Sequence, residues 1–292
     1  MIVPVPRSAP AHVLDVGGRP VQVTNADKVL FPGAGMTKAD VIEYLISVSD
    51  ALLHQLADRP VTRIRYPHGS EGTKFFEKNA PPGAPSWLRT VRVTGERGGE
   101  TVTYPVFDHL AALVWAGNLA ALELHTPQWR VGPRGAPRPP DRMVIDLDPG
   151  HGTGLDECAA VAHLVAERLG DSGLDSVPVT SGSAGLHLYV RTDGRRSSDD
   201  VRDDAEALAR SLAKDHPRDV TATMGAANRR GKVFLDWSQN SRSKTTITPY
   251  SLRARRTPFV AAPRYWDEIG PGLQQLTPDA VVDRLTDGDP LA

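Results

Sequence analysis

The sequence predicts a mixed α/β (α+β) protein. Its second half reads as a ferredoxin-like βαββαβ sheet, its first half as a smaller α/β module, and a cleft lies between them. Three observations carry this. Beyond the Pro/Gly/Arg-rich segment 132–140, strand and helix patterns follow one another in the order β-α-β-β-α-β. Along that stretch the apolar period changes between two and about 3.6, as strands and helices require. Composition is ordinary for a globular chain, with 40% hydrophobic and 24% charged residues in 292. A chain of this length buries a large core without staples.

The elements follow in chain order. Residues 21–24 read as a short strand and 25–28 as a turn. Thr37 and Asp40 form a capping box. Val41, Leu45, Val48, Leu52 and Leu56 then recur at helical spacing until Pro60 stops the helix. Residues 61–66 alternate as a strand, 75–78 form a short aromatic-basic element, and 81–85 form a loop. Two strands, 91–93 and 102–106, flank a Gly-rich charged segment over 94–101, expected as a hairpin or mobile loop. The apolar run 108–124 is expected as one buried helix. The segment 132–140 is expected as the internal linker, dividing an N-terminal module (20–131) from a catalytic sheet module (141–290). In the second module, strands are expected at 143–148, 177–180, 186–190 and 233–237. Helices are expected at 155–169 and 199–216, and 220–224 is an optional further strand.

Several classes are excluded or disfavoured. Cys158 is the sole cysteine, so neither an internal disulfide nor a cysteine zinc site can form. No run of 18 uninterrupted apolar residues exists. The nearest candidate is broken by Asp108, His109, Asn118 and Glu123, so no membrane contact is expected. The first residues lack a charged, apolar-cored leader, so 1–19 is expected to be a flexible lead-in and the cytoplasm the location. The formal net charge of −1 hides an asymmetry. Residues 229–256 carry eight basic side chains and one acid, Asp236, whereas 198–219 carries seven acids. Such a directional field bears on binding more than the sum does.

The chemistry concentrates in three places. In Val144-Ile-Asp-Leu-Asp-Pro-Gly150, strand alternation puts Asp146 and Asp148 on one face. Two carboxylates on an apolar strand repel and resist desolvation. A divalent cation with oxygen preference is the usual resolution, and a solvent-facing pair at a strand end is the plain alternative. In Val233-Phe-Leu-Asp-Trp237, Asp236 is again a lone acid in an apolar strand. With the usual ferredoxin-like strand order it faces the first pair; otherwise it is a salt-bridge partner. In Thr180-Ser-Gly-Ser-Ala-Gly-Leu-His187, a small Gly-rich turn offers hydroxyls and backbone N–H groups to phosphate, with His187 just beyond. Alone it reads equally as a hairpin turn beside a packed histidine. Together these elements are an inventory for holding a nucleoside triphosphate with two metals and moving its α-phosphoryl group.

The motifs VIDLDPG, TSGSAGLHLYV and KVFLDWSQNSRSKTTITPYSLRAR resemble the polymerase domain of bacterial ATP-dependent DNA ligase D, in the archaeo-eukaryotic primase superfamily. TNADKVLFPGAGMTKAD, FFEKNAP, TYPVFD and ALELHTPQWRVG extend the resemblance from about residue 20 to about 285. The resemblance implies an archaeo-eukaryotic primase fold with a ferredoxin/RRM-like sheet. It implies that Asp146, Asp148 and Asp236 are catalytic, metal-binding carboxylates for Mn²⁺ or Mg²⁺. It places His125, Ser181, Ser183, His187, Lys232, Lys244 and Arg253 at the nucleotide. Lys28 and Lys38 would meet the 5′-phosphate of a gapped or broken DNA end, with Phe75, Phe76 and Arg230 also on DNA. One of the two phenylalanines is expected to face inward. The family has Lys where this chain has Ala184.

The activity implied is template-directed addition of nucleotides, with NTPs favoured over dNTPs, at gaps and double-strand breaks in non-homologous end joining. Ku and a separate DNA ligase are the implied partners. The chain is expected to be a stand-alone polymerase or an excised domain, nucleoid-associated. Two other classes compete: a non-catalytic DNA-end-binding module, and a metal-dependent phosphoesterase or nuclease using the same acids.

Overall fold

A computed structural model describes residues 11–95 and 99–292. The second half is built on a six-stranded sheet. Its order is Val220–Thr221, Val233–Asp236, Arg142–Pro149, Leu186–Arg191, Ser176–Thr180, Ala262–Pro263. Within the βαββαβ unit this places the last strand beside the first, as the ferredoxin-like order requires. The optional strand forms as Val220–Thr221, parallel to Val233–Asp236.

Period-two alternation divides the central strand between two environments. Met143, Ile145 and Leu147 face helices Leu155–Gly170 and Ser198–Asp215 and pack with Cys158, Val165, Val201 and Leu212. Asp146 and Asp148 alternate with them and face the other way. Ser197 caps the second helix through a capping box with Asp200. Along that helix Val201, Ala205, Ala209 and Leu212 are the buried positions, and the acids lie outside them.

A second, four-stranded sheet runs Thr246–Ile247, Ala121–Thr126, Thr62–Arg65, Phe75–Glu77. The capping box of Thr37 and Asp40 opens the helix Lys38–Ser47, as the sequence indicates. The single expected helix ends at Val48 and resumes as Ser49–Leu56.

Four expectations are corrected. The run 108–124 is a helix only over Leu110–Asn118; Ala120 takes a left-handed φ of 55° and the chain leaves as the strand Ala121–Thr126. A buried strand and a buried helix are both uniformly apolar, so periodicity cannot separate them. Within the supposed lead-in, Ala11–Asp15 pairs in register with Pro20–Thr24 as a hairpin; residues 1–10 lie outside the described residues. The supposed linker contains Pro137–Pro140, which pairs with Trp129–Val131. The two cores do not divide at that linker either. Tyr250, Leu252, Val260 and Val281 join Val41, Leu45, Leu52 and Leu113 in the first core, so the chain's end returns to the N-terminal module.

Thr90–Thr94 and Thr101–Pro105 form the expected hairpin. Residues 96–98, between them in sequence, lie outside the described residues. Among the described residues no helix is long and apolar enough to cross a membrane.

Candidate active site

The central strand Arg142–Pro149 has a functional residue on each side. Asp146 lies opposite Asp236 on one neighbour and opposite His187 on the other. Directly opposed residues project to the same face, so register alone gathers the three acids and the histidine. Ligand oxygens of Asp146, Asp148 and Asp236 all lie within 4.8 Å of one another.

Each group is held. His187 Nε2 stands 3.2 Å from Asp146 Oδ1. Asp236 caps the 3₁₀ turn Trp237–Asn240: its Oδ1 accepts from Ser238 N at 3.1 Å and Ser238 Oγ at 2.6 Å. Its Oδ2 accepts from Gln239 Nε2 at 2.9 Å. Arg229 Nη1 reaches Asp148 Oδ2 at 3.5 Å, and the Arg229 guanidinium lies 3.8 Å from the Phe234 ring centroid. Burial, and then the negative Asp146, push the Asp148 carboxyl up to about 6 despite Arg229. Three crowded carboxylates, one of them resisting ionisation, are a donor set that a hard divalent cation satisfies. These residues could hold such a metal.

The Gly-rich turn is not the open nest that its sequence suggests. Ser181 N donates to Gly185 O at 3.0 Å, and Gly182 N donates to Gln275 Oε1 at 2.7 Å. Ser183 N and Gly185 N both donate to Ser181 Oγ, at 3.3 and 3.2 Å. Three of the turn's N–H groups are thus spent within the turn and a fourth on Gln275, and Ser181 Oγ accepts two of them. The positive φ of Gly182, 69°, favours glycine there, and a Cβ at that position would sit 2.8 Å from Arg253 Cβ. Arg255 donates to Ser183 Oγ and so brings a guanidinium to the turn, beside the exposed Ala184.

His125 comes from the second sheet, on Ala121–Thr126, with its Nε2 2.9 Å from Glu123 Oε2. Burial holds its ring below the ordinary histidine range. Arg253 Nη1 meets the same Glu123 oxygen at 3.3 Å. Burial works to raise the Glu123 carboxyl, but the His125 hydrogen bond, Arg253 and Ala254 N–H outweigh it and hold the carboxyl below its ordinary value.

The remaining expected residues lie further out. The Lys232 carbonyl accepts from Gly150 N at 2.9 Å, while its side chain is half-buried. Lys244 and Arg230 are exposed. Among the described residues, no hydrogen bond or ion pair ties the side chains of Lys28, Arg230, Lys232 or Lys244. Lys38 is only 6% exposed, and its Nζ donates to Thr24 O at 2.6 Å. Lys38 N donates to Lys28 O at 2.8 Å, which sets the two lysines side by side. Burial, then the charges of Lys28 and Arg65, lower Lys38 to about 8. Phe75 and Phe76 are both exposed, at 45% and 58%, so neither packs inward as expected. Both stand on the edge strand Phe75–Glu77, where a stacking partner has access.

Sequence reasoning missed Glu123, Arg229, Arg255 and Gln239 as parts of this site. Glu123 was hidden inside the supposed helix. Its spacing of two from His125 was the available signal, because two residues apart on a strand share a face.

Residues 37–291 match the family described as LigD, primase-polymerase domain. The chain is 48% identical over 276 residues to the multifunctional non-homologous end joining DNA repair protein LigD of Mycobacterium tuberculosis, covering 92% of this chain and 36% of that one. It is 34% identical over 268 residues to the bifunctional non-homologous end joining protein LigD of Bacillus subtilis, covering 91% of this chain and 42% of that one. The chain thus spans about two fifths or less of the length of these curated relatives. Among solved structures, the polymerase domain from Mycobacterium tuberculosis Ligase D in complex with DNA matches with a TM-score of 0.88 and 47% identity, covering 92% of this chain and 96% of that one. By sequence along nearly its whole length, and by fold, this chain belongs to the LigD primase-polymerase domain family.

Proposed function

We propose that this chain catalyses template-directed nucleotidyl transfer, adding nucleotides to primer 3′ ends at gaps and double-strand breaks in non-homologous end joining, with NTPs preferred over dNTPs. The observation that carries this is the convergence of Asp146, Asp148 and Asp236 within 4.8 Å on one sheet face, with His187 against Asp146. The acids would hold a pair of divalent cations, Mn²⁺ or Mg²⁺. When bound, such ions lower the pKa of the primer hydroxyl and offset charge on the leaving pyrophosphate.

The chain's own groups orient the substrates. Asp236 is fixed by Ser238 and Gln239, and Asp146 by His187, so the ligand oxygens need little rearrangement. Arg253 and Arg255 converge near the Ser181–Gly185 turn and supply charge to the triphosphate, with Lys232 and Lys244 close in sequence. His125 faces the nucleotide from the second sheet. The attacking hydroxyl belongs to the primer, since phosphoryl transfer of this type relies on positioning and electrostatics. Lys28 and Lys38 would engage the 5′-phosphate of the DNA end, and a phosphate contact positions without reading sequence. Phe75 and Phe76 would stack on bases, and Arg230 would meet the backbone. Residues 20–290 act as one unit in this reading, with Ku and a DNA ligase as partners at the nucleoid.

The test is extension of a labelled primer on a gapped duplex carrying a 5′-phosphate, with NTPs or dNTPs and Mn²⁺. Wild-type extension that disappears in Asp146→Ala/Asp148→Ala supports the reading. DNA binding without extension would make the chain an end-binding module, and shortening of the DNA would make it a nuclease.

A further inference from the structure

Glu123 is a buried carboxylate to which the nucleotidyl-transfer reading gives no task. It is 5% exposed and lies two residues before His125 on the same strand face. Its Oε2 lies 2.9 Å from His125 Nε2 and 3.3 Å from Arg253 Nη1. Its Oε1 accepts from Ala254 N at 3.1 Å and from the Tyr66 hydroxyl at 3.4 Å. Burying a carboxylate is costly unless donors meet its lone pairs, and here donors from three segments converge on it.

The convergence fixes more than position. An ionised carboxylate only accepts hydrogen bonds, so His125 Nε2 carries the proton toward Glu123. Burial keeps the ring neutral at pH 7. In a neutral imidazole the other nitrogen is then an acceptor. His125 in this state offers no positive charge to a phosphate; its Nδ1 lone pair suits a hydroxyl donor. Arg253 is different. One of its Nη groups is tied to Glu123, its Nε is buried without a partner among the described residues, and a guanidinium has further N–H donors to offer an anion.

We propose that Glu123 is a positioning residue that locks His125 as an Nδ1 acceptor for a sugar hydroxyl of the incoming nucleotide and sets Arg253 beside it for the phosphates. The proposal rests on the nucleotidyl-transfer reading above. It divides recognition of one nucleotide between a neutral histidine and a charged arginine, with one carboxylate aligning both.

The variant that tests it is Glu123→Gln, which keeps the side chain's shape and an acceptor for Ala254 N. With its oxygen kept on Ala254 N, its amide turns N–H groups toward His125 Nε2, which must then accept, and toward Arg253 Nη1, which must then move away. Nitrogen-15 NMR of the free chain, which also reports its folding, should place the His125 proton on Nε2 in the wild type and on Nδ1 in Glu123→Gln. Steady-state extension should show KM for NTPs rising about tenfold, the size of one lost hydrogen bond, with kcat changed far less. KM for a 2′,3′-dideoxynucleotide, which has no hydroxyl to donate, should change by less than about twofold from this cause.

A wild-type proton on Nδ1, or a tautomer indifferent to the substitution, overturns the proposal. So does a switched tautomer with unchanged KM, or an equal rise for the dideoxynucleotide. Failure of the wild type to extend any primer counts against the polymerase reading instead, and the NMR comparison still decides whether Glu123 holds His125.

Discussion

The side-chain amide of Asn240 takes the place of a strand residue against Val144. Its Oδ1 accepts from Val144 N and its Nδ2 donates to Val144 O, both at 2.8 Å. The strand Val233–Asp236 ends at Asp236, where the chain turns into Trp237–Asn240. Without Asn240 the backbone of Val144 would lose its partner on that side, two residues from Asp146. The buried amide therefore completes the ladder and pins the turn that carries Asp236.

Asn240→Ala should cost about 2 kcal/mol in a denaturant melt, since it leaves a buried N–H and C=O unpaired. Asn240→Asp should also destabilise, because a carboxylate cannot donate to Val144 O. Divalent-cation affinity, followed by calorimetry, should fall in both as Asp236 loses its fixed place. Unchanged stability would mean that Val144 finds other partners.

The metal-free protein should carry a specific pH dependence from Asp148. Its carboxyl is pushed up to about 6, above the ordinary carboxyl value of 3.8. A carboxyl with a raised folded pKa contributes stability that is present below the unfolded pKa and is lost as pH rises through the folded one. The window is therefore about pH 4 to 6. Its side chain is 44% exposed, so solvent screening reduces the effect to about 1 kcal/mol. Melts of wild type and Asp148→Asn should diverge across that window, with the variant the more stable at pH 7. Divalent cation should reverse the order, because metal binding needs the ionised form. Parallel curves across the window would contradict the placement of these charges.

Discrimination between 5′-phosphorylated and 5′-hydroxyl ends should weaken as pH rises through about 8. Lys38 is lowered to that value by burial and by Lys28 and Arg65, so it loses its charge there. A bound phosphate favours the protonated lysine, so affinity and protonation are linked with that sign. Fluorescence anisotropy at pH 7 and pH 9 should show the preference dropping by up to about tenfold, the scale of one charged hydrogen bond. In Lys38→Ala the preference should be smaller and flat with pH.

Phe75→Ala and Phe76→Ala should leave folding stability within about 0.5 kcal/mol, as exposed substitutions usually do. Each should weaken binding to DNA with an unpaired template overhang by about 1–3 kcal/mol, the scale of a lost base–aromatic stack. Lower thermal stability with unchanged DNA binding would assign the pair to packing.

Gly185→Ala should abolish extension while Ala184→Gly does not. A Cβ on Gly185 would sit 2.3 Å from Leu147 O, on the strand between Asp146 and Asp148, whereas Ala184 is exposed. Backbone cannot yield there without moving the acids. Activity close to wild type in Gly185→Ala would show that the turn adapts.

Local pattern alone settled the acid-bearing strand. Alternation in Val144-Ile-Asp-Leu-Asp put both acids on one face, because a strand's side chains alternate whatever surrounds it. The capping box at Thr37 and the succession β-α-β-β-α-β were likewise local patterns, and the sheet order that the sequence left open is the ferredoxin-like one. Tertiary structure decided the rest. The run 108–124 became helix and then strand because both bury equally well, and only pairing of Ala121–Thr126 with Thr62–Arg65 chose between them. That choice placed Glu123 beneath His125 and Arg253. The return of Thr246–Ile247 and Val281 to the first module, and of Arg255 to the Gly-rich turn, joins residues tens to hundreds of positions apart. No local periodicity encodes such contacts, because they come from burying faces that separate segments leave exposed. Lys38 shows the same division: its place at the start of a helix was legible, but its burial beside Thr24 and the nearby charges of Lys28 and Arg65, which lower it, arise only in the folded chain.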